Sequence, residues 1–156
     1  MQAQPLSDAE YRSLAEFRYQ LRTFLAFSEG QARAVGLNPQ QHQLLLAVRA
    51  SAPETPTIGF LAERLILRHH SVVGLLDRLE QRRLVRRVRS ARDRRQAGVE
   101  ITASGARLLH RLAVAHRAEL RRARPQLMDA LHDLSGIRPT ARPPRRTTGA
   151  TATTRK

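Results

Sequence analysis

Most hydrophobic residues of this chain recur at helical spacing, and the first two predicted helices are marked by their caps. Ser7 and Glu10 have the spacing of a capping box, and apolar residues follow at intervals of three and four as far as Gly36. Asn38 is a suitable N-cap for a second helix, which should end at the loop 51–56. The chain is therefore predicted to begin with a long amphipathic helix followed by a shorter one.

Two short helices joined by a tight turn are predicted next. Thr57 can cap a helix from Ile58 to about Leu65, and a second helix is predicted from about His70 to Arg82. Helical spacing predicts that their inward side is formed by Phe60, Leu61, Leu65, Val72, Val73, Leu76 and Leu79. Two helices in this arrangement are a candidate helix-turn-helix.

The pattern then changes to that of β-strands. Leu84–Arg89 and Ala97–Thr102 are predicted strands, and residues 90–96 join them as a hairpin. Thr102 can cap a last long helix, which we expect to be interrupted at Pro125 and to continue for a final turn or two. The predicted order is α-α-α-α-β-β-α-α, a mainly α (α+β) fold.

Charge changes this picture, because the positive charge is concentrated in the sequence that follows the helix pair. The chain has 28 Lys and Arg residues against 13 Asp and Glu, a net charge of +15. Residues 1–81 are neutral, whereas 82–95 carry +7 and 138–156 carry +6. Net charge alone leaves nucleic acid, an anionic membrane surface and an acidic protein open as partners. A cationic hairpin directly after a helix-turn-helix is the winged-helix arrangement, which favours double-stranded DNA.

Composition excludes several classes of function. The chain has no cysteine, which removes disulfides, thiol chemistry and Cys-ligated metal sites. It has no run of 18 apolar residues and no hydrophobic signal core near residue 1, so we expect a cytoplasmic protein, at the nucleoid when bound to DNA, with no membrane partner. No catalytic arrangement of Ser, His and Asp, phosphate-binding loop or carboxylate pair is present, so we predict neither an enzyme nor a cofactor.

Three histidines are candidate metal ligands, but their spacing argues against a site. His42, His110 and His116 could approach one another beside the long helices, but His110 and His116 are six residues apart and no acid accompanies them at ligand spacing. Ordinary pocket-lining histidines are the better interpretation, and no metal site is predicted.

The chain resembles the MarR family of bacterial transcription regulators over residues 7–135. The resemblance lies in 70–80 leading into 84–87, in Asp93-Arg94-Arg95, and in the run 99–102 with Gly105. It implies an obligate homodimer with intertwined first and last helices, and a winged helix-turn-helix on each subunit. It further implies that the dimer binds a pseudo-palindromic operator. Such a regulator usually represses transcription until a small aromatic or phenolic effector binds.

Two groups of residues are predicted to contact DNA. On the recognition helix they are Arg68, His69, His70, Ser71, Gly74 and Arg78; in the wing they are Arg89, Arg92, Asp93, Arg94 and Arg95. The family motif gives the minor-groove contact to Arg95 and its positioning to Asp93. Ser71 and Gly74 fit plain solvent exposure equally well. Because glycine costs a helix about 1 kcal/mol relative to alanine, Gly74 suggests close approach of DNA or of a neighbouring helix. Phosphate contact and mere solvation both stay open for Arg82, Arg83, Arg86 and Arg87.

The chain is predicted to divide into four segments. These are a dimerisation helix in 1–36, the winged helix-turn-helix in 37–102, dimerisation helices in 103–136 and a disordered basic tail in 137–156. The predicted dimer contacts are Leu14, Phe17, Leu21, Phe24, Leu108, Leu112, Leu127 and Leu131. The competing hypotheses are a non-specific nucleic-acid-coating or RNA-binding protein, disfavoured by basic segments without aromatic residues, and a small enzyme.

Overall fold

The computed structural model describes residues 5–89 and 97–135, and this part of the chain is mostly helical. Its elements, in chain order, are α1 Asp8–Ala34, α2 Pro39–Ala50, α3 Ile58–Leu65, α4 His69–Gln81, β1 Val85–Arg89, β2 Ala97–Ile101 and α5 Ala103–Ser135. β1 and β2 pair in antiparallel register, with Arg87 opposite Val99. The fold confirms the predicted winged helix-turn-helix between long terminal helices.

The predicted caps are present and explain where the helices begin. In α1 the Ser7 amide donates to Glu10 Oε2 at 2.7 Å, and the Glu10 amide donates back to Ser7 Oγ at 3.3 Å. Asn38 and Gln41 form the same reciprocal pair at the start of α2, at 2.8 and 2.9 Å. Each pair satisfies two amide groups that the helix itself leaves without partners.

The core lies where α2, α3, α4, the hairpin and the first half of α5 meet. Leu44, Leu76 and Val99 are fully buried in it. The long helix α1 contributes little to this core, because its one buried residue is Ala32, close to its C-terminal end. Most of α1 instead packs along α5, so the two terminal helices form a layer outside the winged helix.

Two predictions about the inward face of the helix pair were wrong. Leu75 is buried in α4 while Val73 is only half-buried, because residues 72, 75, 76 and 79 form the regular stripe of an α-helix. Phe60 is exposed on α3, whose buried residues are Leu61 and Ala62.

The predicted break at Pro125 was also wrong. α5 continues through Pro125 to Ser135 as one helix of 33 residues. Pro125 lies on the exposed side of α5, and the helix is held against α1 on its other side. Loss of one backbone hydrogen bond to proline does not end a helix that tertiary packing supports. The element order therefore has one final helix where two were predicted.

Candidate nucleic-acid interface

The predicted recognition residues are distributed along α4, and four of the six lie at its N-terminal end. Arg68 precedes the helix with an extended backbone (φ −71°, ψ 146°) and its side chain makes no capping hydrogen bond. Arg68, His69 and His70 are exposed and Ser71 is half-buried, while Arg78 is exposed two turns further on. This end of α4 therefore combines cationic and hydrogen-bonding side chains with the positive end of the helix dipole, which favours phosphate.

Gly74 lies on the same helix with open space around it. A Cβ built on Gly74 would meet no atom of the described residues within 4 Å, apart from its own helix backbone. A neighbouring helix in the same protomer therefore does not explain the glycine. Close approach of DNA and plain solvent exposure are the two interpretations that stay open.

The turn between α3 and α4 contains a residue that sequence reasoning did not single out. Ile66 adopts a left-handed conformation (φ 55°, ψ 45°) at the C-terminal end of α3, and it is 92% exposed. This conformation is unfavourable for a β-branched side chain. It nevertheless makes the turn tight, since the Leu67 amide donates to the Ala62 carbonyl at 2.9 Å.

The wing is described on both of its strands but not at its tip. Arg89 is exposed at the end of β1, opposite Ala97. The other four residues predicted to contact DNA from the wing lie outside the described residues; they are Arg92, Asp93, Arg94 and Arg95. Arg89 is thus the described wing residue that is placed for a phosphate contact.

Two of the arginines that the sequence left open bind protein groups. Arg82 donates to the carbonyls of Gly36 at 2.5 Å and Val35 at 3.1 Å, which joins the end of α4 to the end of α1. Arg86 donates through Nε and Nη2 to one Glu100 carboxylate oxygen, at 2.9 and 2.6 Å, across the hairpin. These side chains are engaged within the protomer.

Arg87 is engaged more completely than either. Its Nη2 donates to Asp77 Oδ1 at 2.6 Å, and its Nη1 makes a short contact with Glu80 Oε2. Its backbone amide donates to the other Glu80 oxygen at 2.9 Å. Hydrogen bonding to Asp77, followed by that to Glu80, raises the pKa of Arg87 above its ordinary value against the opposing effect of burial. Arg83 is exposed, with its backbone at φ 57°.

The predicted dimer contacts divide into two groups. Leu14, Leu21 and Leu131 are exposed along α1 and α5, and three others are half-buried there; these are Phe17, Phe24 and Leu127. Leu108 and Leu112 are only 9% and 3% exposed, and they belong to the core of the protomer itself. We correct their predicted role accordingly, since side chains buried under α2 and the hairpin are not free to meet a second subunit.

An apolar groove of about 1070 Å³ runs between α1, α2 and α5. Five of the predicted dimer contacts line it; they are Phe17, Leu21, Phe24, Leu127 and Leu131. His42, His116 and three arginines of α5 supply most of its polar groups. A concave apolar surface with a few polar groups is typical of sites for small organic molecules.

Two histidines meet at the inner end of this groove. The rings of His42 and His116 are 4.7 Å apart between centroids, and His116 Nε2 lies 2.7 Å from Ser28 Oγ. Burial, and then the nearby His116, lower the pKa of His42. His110 lines a different pocket, between α2 and α5, and does not join the pair.

Within 5–89 and 97–135 no group of three His, Cys, Asp or Glu residues could hold a metal ion. Over the same residues no helix is long and apolar enough to cross a membrane.

Comparison with known families and structures confirms the resemblance noted in the sequence. The model of the MarR family matches residues 35–96, which include α2, α3, α4 and β1. No curated protein matches the chain. Many solved structures do, and we describe three of them.

MepR, a transcription regulator of the Staphylococcus aureus multidrug efflux pump MepA, has a TM-score of 0.68 and 19% identity, covering 78% of this chain and 96% of its own. A mutant of S. aureus MepR bound to an oligodeoxyribonucleotide has a TM-score of 0.62 and 20% identity, covering 78% and 95%. AbsC, a MarR family transcriptional regulator from Streptomyces coelicolor, has a TM-score of 0.66 and 23% identity, covering 86% and 90%. At these identities the likeness establishes the fold.

Proposed function

We propose that this protein, whose residues 35–96 match the model of the MarR family, is a transcription regulator that binds double-stranded DNA and not an enzyme. The observation that carries the proposal is the exposed set of Arg68, His69, His70 and Arg78 on α4, next to a segment 82–95 with a net charge of +7. A structure of this fold bound to an oligodeoxyribonucleotide supports it.

The recognition helix and the wing have separate tasks in this proposal. The first turns of α4 enter the major groove, where base edges present a distinct pattern for each base pair. The wing follows the backbone, with Arg95 reaching a minor groove whose negative potential attracts guanidinium and Asp93 holding that arginine. The basic segment 137–156 adds affinity through phosphate neutralisation, which carries no sequence information.

The protein acts as a homodimer in this proposal. Large apolar side chains are exposed along α1 and α5; they are Tyr11, Leu14, Tyr19, Leu21, Leu25, Val114, Leu120, Met128 and Leu131. Apolar surface of this extent on two helices that pack antiparallel to each other favours a self-complementary interface. Two winged helices related by a two-fold axis then require a pseudo-palindromic operator.

A small aromatic or phenolic effector is proposed to occupy the groove between α1, α2 and α5. The groove joins the dimerisation helices to α2 of the winged helix, so a ligand there can change how the two parts are oriented. Repression relieved by such a ligand is the mode of action that we propose for this cytoplasmic protein.

Selection from random duplex DNA, followed by footprinting of the enriched sequence, tests this function. We expect an inverted repeat with half-site centres roughly 10 bp apart. Equal affinity for every duplex and for RNA would instead indicate a non-specific nucleic-acid-coating protein and would refute the proposal.

Two variants test the division of tasks. Arg95→Ala should weaken operator binding by on the order of 1–3 kcal/mol and leave the dimer intact. Deletion of 137–156 should mainly reduce the salt dependence of binding. Loss of specificity on tail deletion, with no effect of Arg95→Ala, would contradict the assignment.

A further inference from the structure

We propose that Arg87 is a positioning residue that locks the wing to the recognition helix at a fixed angle and does not itself contact DNA. This inference rests on the function proposed above, because it concerns the relative placement of the two elements that contact DNA. It assigns a task to a residue of the basic segment for which charge alone favours a phosphate contact.

The contacts of Arg87 join two separate elements. Arg87 lies in the middle of β1, whereas Asp77 and Glu80 lie in the last turns of α4. The guanidinium reaches both carboxylates, at 2.6 Å from Nη2 to Asp77 and closer still from Nη1 to Glu80. The Arg87 amide is held at 2.9 Å by the second Glu80 oxygen. Side chain and backbone are thus fixed together, which sets both the distance and the direction of β1 relative to α4.

The charge balance argues against a phosphate contact by Arg87. Its side chain is 29% exposed, whereas that of Arg86, next to it on β1, is 67% exposed. Charge-assisted hydrogen bonds to two carboxylates are among the stronger polar contacts in proteins. A phosphate would have to displace one of them and would leave a carboxylate facing the DNA backbone.

The positions of the two acids make this arrangement more than a surface ion pair. Asp77 is three residues after Gly74 and directly before Arg78, so it lies beside the proposed DNA-reading side of α4. Two carboxylates there repel a polyanion over a short range. Their presence on this helix has a physical reason if they hold the wing, and the guanidinium between them compensates part of their charge.

Glu80→Gln provides a test in which the two interpretations predict different results: a uniform gain in affinity with unchanged preference, or a loss of preference. Removing a negative charge near DNA should by simple electrostatics tighten binding to every duplex. If Glu80 holds the wing through Arg87, preference for the selected operator over random duplex should instead fall by about fivefold, within the range for coupled hydrogen-bonded charges. Glu63→Gln, which removes an exposed carboxylate from α3, is the matched control and should leave the preference unchanged.

Arg87→Lys separates positioning from phosphate binding. Lysine keeps the positive charge but cannot make the forked contact with both carboxylates. We expect operator preference to fall as in Glu80→Gln, with the salt dependence of binding unchanged. Arg89→Ala, at an exposed wing position, should do the reverse by lowering the salt slope by about 1 with little change in preference.

Amide hydrogen exchange in the free protein provides a readout that does not depend on DNA. Both variants should accelerate exchange of the Arg87 amide. Glu80→Gln leaves a single, uncharged acceptor oxygen in place of the two carboxylate oxygens that hold the amide and the guanidinium, and Arg87→Lys frees Glu80 from the guanidinium. Unchanged exchange and preference in both variants, or a uniform gain in affinity from Glu80→Gln, would overturn the inference. Failure of the wild type to prefer any sequence would instead refute the proposed function. The exchange data would still test the contact between Arg87 and Glu80.

Discussion

Replacing Gly105 with alanine should destabilise this fold, whereas the same replacement at Gly74 should stabilise it. A Cβ at Gly105 would lie 2.1 Å from the Leu84 carbonyl oxygen and 2.9 Å from Ile101 Cγ1. That carbonyl cannot easily move, because it accepts hydrogen bonds from both the amide and the hydroxyl of Thr102, each at 3.1 Å. The start of α5 therefore lies directly on the start of the wing, and only glycine fits.

The expected magnitude follows from two opposing effects. Overpacking a closed site costs about 1–3 kcal/mol, and contact with fixed backbone at this distance should lie at the upper end of that range. Alanine recovers about 1 kcal/mol of helix propensity relative to glycine, which leaves a net loss of about 2 kcal/mol for Gly105→Ala. At Gly74 the Cβ enters open space, so the gain of about 1 kcal/mol remains.

Urea unfolding at one fixed protein concentration measures both changes, since the apparent stability of the homodimer proposed above would depend on concentration. With a slope near 2 kcal/mol/M, Gly105→Ala should lower the midpoint by about 1 M and Gly74→Ala should raise it by about half that. Shifts of the same sign, or a Gly105→Ala midpoint equal to wild type, would refute the packing argument. If DNA approaches the Gly74 backbone, Gly74→Ala should also weaken operator binding despite its greater stability.

Two further predictions concern strain and protonation. Ile66→Gly should raise the free energy of unfolding by about 0.5–1 kcal/mol, because it removes left-handed strain and loses almost no packing; a lower Tm than wild type would contradict this. Burial and His116 lower the pKa of His42, so the unfolded chain binds the proton more readily than the folded one. The free energy of unfolding should therefore keep its full value near pH 7 and decrease as the pH drops below about 6.5. His42→Gln should flatten that decline in unfolding measured between pH 7 and 5, and an unchanged slope would argue against burial of a neutral His42.

Local signals predicted the helix starts correctly because caps act over three or four residues. Ser7, Asn38 and Thr57 each accept from the amide three residues on, at the helix starts that the sequence indicated. The tight turn between α3 and α4 was also predicted, although its left-handed residue, Ile66, carries none of the usual turn chemistry. Here the packing of Leu65 and Leu67 on either side against the core outweighs the local preference.

The incorrect predictions share a different cause, which is that they depended on contacts between distant segments. Pro125 was expected to interrupt a helix because its local effect is unfavourable, but packing along α1 sustains α5. Leu108 and Leu112 have the same helical spacing as the exposed apolar residues of α5, and only the tertiary arrangement shows that they face the protomer core. Helical periodicity identifies an apolar face but not the surface that covers it.

The same reasoning changes how the basic segment 82–95 should be interpreted. Its net charge of +7 suggests an evenly cationic strip, yet the partners of its first arginines come from elsewhere in the chain. Arg86 is paired with Glu100 and Arg87 with Asp77 and Glu80, all outside the segment. Much of the positive charge at the start of β1 is therefore compensated by nearby carboxylates, and the potential that β1 offers to DNA shifts toward Arg89 at its end. Substituting paired and exposed arginines separately should consequently give different salt slopes, which a uniformly charged strip would not.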